Sequence, residues 1–192
     1  QRQMCIRDSL DPEREALIDI PNNRRMTFGT LDERVRRLAN AFCDELKLNK
    51  GDRVAILSKN CIQYMEVFYA CARGGLIAQP LNWRLSEPEM ARILGDGEPN
   101  LLIGSEEYAE LTGSLAKAAN TPATLVFTSA ADCDYAQLIA RSSEAEPTAA
   151  AKVPPRSPEV SPRTQKRCLE TCHAKLNVLR RVFCRMLDMF QP

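Results

Sequence analysis

The stretch RGGLIAQPLNWRLSEPEM, from Arg73 to Met90, contains a helix end, a short strand and a helix start. Gly74 and Gly75 predict the end of a helix, because glycine readily adopts the left-handed conformation found at helix C-termini. The apolar run Leu76 to Pro80 predicts a buried strand. Ser86 and Glu89 have the spacing of a capping box and predict a helix start. A helix, a strand and a second helix in such close succession indicate a layered α/β fold.

The residues before this stretch alternate between helical and strand patterns. Apolar residues recur at helical spacing in one segment, at Leu31, Val35, Leu38, Phe42 and Leu46. Thr30 and Glu33 fit a capping box for this helix, and Thr27 is the alternative cap for an earlier start. The run Val54 to Leu57 predicts a strand buried on both faces. A second helix follows, with apolar residues at Ile62, Met65, Phe68, Tyr69 and Ala72.

The same alternation continues after Met90. Short apolar runs at 101–103 and 124–127 predict two more strands, and helical patterns occur at 87–94, 107–119 and 135–140. Short apolar strands separated by helices imply repeated right-handed crossovers. The sequence therefore predicts an α/β fold with an incomplete open parallel sheet and flanking helices, spanning residues 10–141.

The two ends of the chain differ in character from this domain. Residues 1–9, QRQMCIRDS, resemble a translated sequencing adapter and are predicted to be a non-native leader; the absent start methionine suggests an incomplete chain. Proline, alanine, serine and glutamate predict a linker over residues 142–163. Residues 164–192 predict a basic amphipathic helical tail. The change of composition also favours a foreign origin of the sequence from about Ala149, through a frameshift, a mis-spliced exon or an assembly error.

Composition excludes several classes of protein. The net charge of +1 provides no general attraction for nucleic acid. No apolar run reaches the ~20 residues of a membrane-spanning helix, and no signal-peptide core is visible, so a cytoplasmic protein is expected. Cys43, Cys61 and Cys71 lie among apolar residues of helical patterns, which predicts reduced, mostly buried thiols rather than disulfides.

An ordered series of motifs resembles the N-terminal part of the AMP-forming adenylating enzymes, the acyl-CoA synthetases and their relatives. The matching segments are Thr27-Phe28, GDRVAIL at 51–57, the Asn60 to Gly75 helix and PLNWRL at 80–85. The resemblance covers about residues 12–140 and identifies the chain as an N-terminal fragment of an AMP-dependent synthetase/ligase.

The resemblance implies a reaction in which ATP and Mg²⁺ activate a carboxylic acid as an acyl adenylate, and coenzyme A then takes the acyl group. The family's phosphate loop, T-S-G-T-T-G-x-P-K-G, needs glycine so that backbone N–H groups can face the phosphates. All eight glycines of this chain lie at or before Gly113. We therefore expect no catalytic, cofactor-binding or metal-binding residue in this chain, and no activity from it alone.

The alternative reading is a non-catalytic interaction module or decoy that uses the basic C-terminal helix to contact a partner or membrane surface. Cys168, Cys172, His173 and Cys184 are candidate metal ligands, but on a helix His173 projects away from Cys172 and Cys184 lies at least two turns further on. Accidental thiols are the favoured interpretation. A nucleophilic pair of cysteine with His173 has no further support.

Five residues beside the predicted strands allow functional or structural readings. Trp83 and Arg84 follow the second predicted strand, where α/β proteins bind ligands, but packing of Trp83 and pairing of Arg84 with a carboxylate such as Glu87 is the favoured reading. Asn60 is predicted to cap a helix. Asp52, with the adjacent Arg53, is expected to serve a turn.

Overall fold

A computed structural model describes residues 11–20, 22–128, 130 and 133–147. An antiparallel hairpin comes first, formed by β1 (Glu15–Asp19) and β2 (Arg24–Thr27). A parallel sheet in the order β4-β3-β5-β6 follows, with strands β3 (Arg53–Leu57), β4 (Ile77–Pro80), β5 (Leu101–Ser105) and β6 (Ala123–Phe127). The α-helices are α1 (Phe28–Asn40), α2 (Ile62–Gly74), α3 (Glu87–Gly97), α4 (Ala109–Ala118) and α5 (Asp134–Arg141).

The four-stranded sheet confirms the predicted α/β class and separates two hydrophobic cores. Side chains alternate along β3, so Val54 and Ile56 belong to one core and Ala55 and Leu57 to the other. The first core also contains residues of α1, α2 and α5, and the second contains residues of α3 and α4. Helices therefore cover both faces, as the near-continuous apolar character of β3 and β5 requires.

The strand predicted from Leu76 to Pro80 lies at an edge of the sheet. Leu76 is buried, but β4 begins at Ile77, whose side chain is 48% exposed. The expectation of a buried strand was wrong for β4, since the sheet order places it beside β3 alone. A short apolar run does not distinguish a central strand from an edge strand.

The helix boundaries test the capping predictions. The Ser86–Glu89 capping box is confirmed, and Gly75 ends α2 with a φ of 73°. Thr27 caps α1, since its hydroxyl oxygen accepts a hydrogen bond from the Thr30 N–H at 3.3 Å; the Thr30–Glu33 box was wrong. Asn60 does not cap α2, because the extended N-cap residue is Cys61, one position later.

The sequence patterns did not predict the β1–β2 hairpin. Its strands are short, and a register shift between Glu15 and Leu17 interrupts the alternation. The turn between them includes Asn23 at a φ of 48°, a conformation that asparagine tolerates. The hairpin packs through Ala16, Leu17 and Met26 against a small third cluster with residues of α1 and α2.

Several predicted segments lie outside the described residues. These are the leader at 1–9, the linker beyond Pro147, and the helical tail with Cys168, Cys172, His173 and Cys184. Within the described part of the chain, no helix has the length and apolar character needed to span a membrane.

We predict that Gly104→Ala destabilises the fold. A Cβ at Gly104 would lie 2.0 Å from the Thr112 hydroxyl oxygen, which already donates to the Tyr108 carbonyl at 2.8 Å. Because Thr112 is buried, we expect the free energy of unfolding to fall by about 1 to 3 kcal/mol. Urea denaturation measures this change.

Gly113→Ala is the matched control, because a Cβ there meets no other atom within 4 Å. Within α4 this substitution should raise stability by up to about 1 kcal/mol. Equal effects of the two substitutions would contradict the close packing of β5 on α4.

Candidate functional site

A crevice forms where the connections of the parallel sheet diverge. From β3 the chain crosses through α2 to β4, and from β5 it crosses through α4 to β6 on the opposite side of the sheet. Since β3 and β5 are neighbours, their carboxyl ends form a topological switch point. Open α/β sheets bind their ligands outside the strand ends at such points. This crevice is the candidate functional site.

Two buried serines lie at the strand ends of the crevice. Ser58 follows β3 and Ser105 ends β5, and strand alternation places both on the face of the first core. The Ser58 hydroxyl donates to the Lys59 carbonyl at 2.7 Å. The Ser105 hydroxyl has no hydrogen-bond partner in the part of the chain that the structure describes. Buried polar groups are usually paired, so Ser105 is a candidate for contacting a ligand.

Charged and aromatic side chains surround the same strand ends. The Lys59 ammonium forms an ion pair with the Glu107 carboxylate at 2.7 Å, which bridges the segments after β3 and β5. The hydrogen bond and charge of Glu107 raise the pKa of Lys59. The Lys59 nitrogen also lies 5.3 Å from the centroid of the Trp83 ring, and the Arg84 guanidinium carbon lies 4.5 Å from it. Both distances allow cation–π attraction.

The structure thus places Trp83 and Arg84 beside the crevice. Trp83 is half-buried and packs against the second core, and the Glu87 carboxylate accepts a hydrogen bond from Ser114. The Arg84–Glu87 pair stays a prediction.

Sequence reasoning missed Lys59, Ser105 and Glu107. Their position directly after apolar strands was the available signal, but the patterns did not reveal that β3 and β5 are neighbours.

The predicted turn at Asp52 is confirmed. Its carboxylate accepts a hydrogen bond from the Asn49 N–H at 2.7 Å, and its own N–H donates to the Asn49 carbonyl at 2.9 Å. The adjacent Arg53 begins β3, and its N–H donates to the Asn100 side chain. Both residues lie at the amino end of β3, opposite to the crevice.

A buried carboxylate connects the three helices that cover the first core. The Glu66 side chain on α2 is fully buried, and the Arg34 guanidinium of α1 donates to it at 2.5 and 3.2 Å. The Tyr135 hydroxyl of α5 donates to the same carboxylate at 2.8 Å. Burial, together with the Glu66 charge and hydrogen bond, raises the pKa of Tyr135 well above its ordinary value. Pairing with Arg34 makes the buried charge tolerable.

The described cysteines are free thiols, as predicted for Cys43, Cys61 and Cys71. Burial raises the pKa of Cys71 to about 12. Burial also raises the pKa of Cys133, but hydrogen bonds from Thr128, Tyr135 and Ala136 outweigh it, so the net pKa is lowered. No group of three histidine, cysteine, aspartate or glutamate side chains suits a metal ion within the described ranges.

Comparison with known proteins gives consistent matches. The family model described as AMP-binding enzyme matches residues 7–168. A feruloyl-CoA synthase from an Amycolatopsis species is 40% identical over 91 residues, 47% of this chain and 18% of the relative. The long-chain-fatty-acid–CoA ligase FadD13 of Mycobacterium tuberculosis is 30% identical over 119 residues, 62% of this chain and 24% of the relative.

Solved structures support the same relationship. A fatty acyl-CoA synthetase from Mycobacterium tuberculosis superposes with a TM-score of 0.67 at 26% identity, covering 77% of this chain and 29% of the other. The N-terminal domain of FACL13 from that organism, solved with an inhibitor, gives a TM-score of 0.67 and 26% identity over 76% of this chain and 36% of the other. The matched part of this chain therefore spans well under half of each of these proteins.

We predict that Tyr135→Phe destabilises the fold by about 1 to 3 kcal/mol at neutral pH, because it removes a hydrogen bond to a buried charge. Since the folded-state pKa of Tyr135 is raised, its contribution is fully present below the unfolded pKa of about 10 and is lost as pH rises towards the folded value. The stability difference between the two proteins should therefore shrink above about pH 10 in urea denaturation. Tyr64→Phe, whose ring stacks on Phe68, is the control. A pH-independent difference would refute the assignment.

We also predict an order of thiol reactivity. Among the described cysteines, Cys133 should react first with iodoacetamide near neutral pH, because its lowered pKa increases the thiolate fraction. Cys71 should react last, because its thiol is buried and its pKa is raised. Peptide mass mapping over time gives the order, and Cys133→Ser verifies the assignment. Labelling of Cys71 as fast as Cys133 would contradict the prediction.

Proposed function

Since the chain belongs to the AMP-binding enzyme family, we propose that it forms the N-terminal part of the adenylating domain of an acyl-CoA synthetase. In the reaction implied for the whole protein, ATP converts a carboxylic acid to an acyl adenylate with release of pyrophosphate. The thiol of coenzyme A then displaces AMP and forms the thioester. The likeness to acyl-CoA ligases in sequence and fold supports this proposal.

This chain is proposed to catalyse nothing alone. A glycine-rich phosphate loop cannot be placed after Gly113, because the sequence contains no later glycine. Within the described ranges, no three histidine, cysteine, aspartate or glutamate side chains are grouped so that they could hold a metal ion. ATP binding and adenylation therefore require residues beyond those described.

Coenzyme A is the second phosphate-bearing substrate of the implied reaction, and the crevice is proposed to contact its nucleotide end. The observation that carries this assignment is the buried, unpartnered Ser105 hydroxyl at the switch point. A hydroxyl can donate to a phosphate or sugar oxygen. Trp83, which packs against the second core beside Lys59, offers an aromatic surface to a base, and Arg84 offers charge to a phosphate.

The Lys59–Glu107 pair is compatible with an exchangeable contact. Both side chains are about half exposed, so their attraction is screened by water and contributes little to stability. An entering phosphate can therefore replace Glu107 as the partner of Lys59 at small cost. This exchange would keep the ammonium paired and offset part of the phosphate charge, while water would solvate the exposed Glu107 carboxylate.

The acid substrate and the location are further parts of the proposal. One relative is named a feruloyl-CoA synthase, and the other a long-chain-fatty-acid–CoA ligase. The second name supports a role of this protein in fatty acid metabolism. We place the protein in the cytoplasm, where ATP and coenzyme A are available. Neither part depends on the crevice.

An ATP–pyrophosphate exchange assay tests the lack of activity. We expect the purified chain to give no exchange above the protein-free background with aromatic or fatty acids, because the phosphate loop is missing. An intact acyl-CoA synthetase serves as the positive control. A clear exchange signal from the purified chain would overturn the prediction.

Fluorescence of Trp83, the only tryptophan of the chain, tests the crevice directly. We expect coenzyme A to change this fluorescence and ATP to have a weaker effect. Arg84→Gln should weaken coenzyme A binding about tenfold, because a charge-assisted hydrogen bond is lost. Arg25→Gln is the control, since Arg25 pairs with Glu15 on the hairpin. Equal affinities of the two variants, or no response to coenzyme A, would refute the site.

A further inference from the structure

The chain after α5 lies against α1 as a non-helical segment, residues 142–147, which we call the strap. Ser142 and Pro147, its two ends, are buried, whereas the four residues between them are exposed. The Ser142 hydroxyl contacts both the Leu138 carbonyl at 2.7 Å and the Glu45 carboxylate at 2.6 Å. The strap is therefore fixed at both ends, although most of its side chains face solvent.

Main-chain carbonyls of the strap are bound by side chains of α1. The Asn40 amide nitrogen donates to the Ser143 and Ala145 carbonyls, at 2.7 Å each. The Arg37 guanidinium donates to the Ser142 carbonyl at 2.9 Å. Asn40 is 5% exposed, so its amide would lack these partners if the strap left. Recognition of carbonyls depends on an extended backbone rather than on particular side chains.

Acidic side chains of the strap add charge complementarity. Glu144 pairs with Arg37, and Glu146 pairs with Arg73 of α2 at 3.1 Å. The arginines also contact Glu33 and Asp32, the acidic neighbours on α1. At the α5 end, Arg141 pairs with Glu45 at 2.6 Å. The glutamates of the strap are more than half exposed, so salt should weaken these pairs.

We propose that Arg37, Asn40 and Arg73 form a docking groove for an extended acidic segment, and that the strap occupies this groove as a releasable latch on α5. Buried carbonyl contacts supply the fixed register of the strap. The exposed ion pairs add an attraction between the strap and the arginines, and high ionic strength weakens this attraction. Release of the strap frees the C-terminal end of α5 and exposes Asn40 and the two arginines of the groove. This proposal does not rest on the proposed enzymatic role.

Cleavage by a glutamyl endopeptidase tests docking, because the strap offers the Glu144–Ala145 bond as a cleavage site, whereas the proline after Glu146 blocks cleavage there. Mass spectrometry of the full chain gives the rate at this bond, relative to a synthetic peptide of residues 141–150. We expect the native chain to be cleaved at least about tenfold more slowly than the peptide, since a docked segment must open first. Raising the salt concentration should accelerate cleavage of the chain after correction for its effect on the peptide.

Asn40→Asp should abolish most of the protection, because a carboxylate would face the two carbonyl oxygens. Arg25→Gln, in the hairpin, is the matched control and should leave the rate unchanged. Amide exchange of β3 and β5 shows whether Asn40→Asp keeps its fold. If it does not, Arg37→Gln replaces it, with faster cleavage expected again.

Three results would overturn the proposal. One is cleavage of the native chain as fast as the free peptide, and another is unchanged protection in a folded groove variant. Protection that rises with protein concentration, together with a dimer in sedimentation, would also refute a latch within one chain, since the groove would then hold the strap of a second copy.

Discussion

The buried Glu66 carboxylate is the constraint on which the first face of the sheet depends. A charge without water needs a partner, and Arg34 and Tyr135 supply it from two other helices. Through this group α1, α2 and α5 are tied to one another above β3 and β5. The apolar core sets how closely these helices pack, and the hydrogen bonds restrict their rotation.

This polar tie also relates the two functional regions to each other. Tyr135 lies in the first turn of α5, near the carboxyl end of the sheet, whereas the strap follows the last turn of that helix. Residues near the crevice and residues in the groove are thus joined by a single short helix. Strand ends form the crevice, and side chains of α1 and α2 form the groove.

Much of the sheet could be predicted from sequence, because apolar runs and glycine positions are local signals. The runs around Val54, Leu102 and Leu125 mark three strands, and Gly75 marks a helix end. Strand order depends on contacts between distant parts of the chain, so the sequence patterns did not predict that β3 and β5 are neighbours. For the same reason they did not predict that Lys59 and Ser105 lie at one crevice. Phe68 and Ile93 belong to apolar helical stripes yet are exposed at 41% and 38%, since periodicity does not show how much of a stripe is covered. The pairing of Asn40 with distant carbonyls has no sequence signal.

The adjacency of β3 and β5 has a consequence for the order of folding events. Val54 and Leu101 pair across α2, β4 and α3, all of which lie between them in the chain. Parallel pairing of this kind requires a long loop to close, and the chain loses that entropy before the contacts between the strands form. The helices α1 and α2 can start to form through local contacts alone. We therefore expect helical structure to appear early and the central strand pair to limit the folding rate.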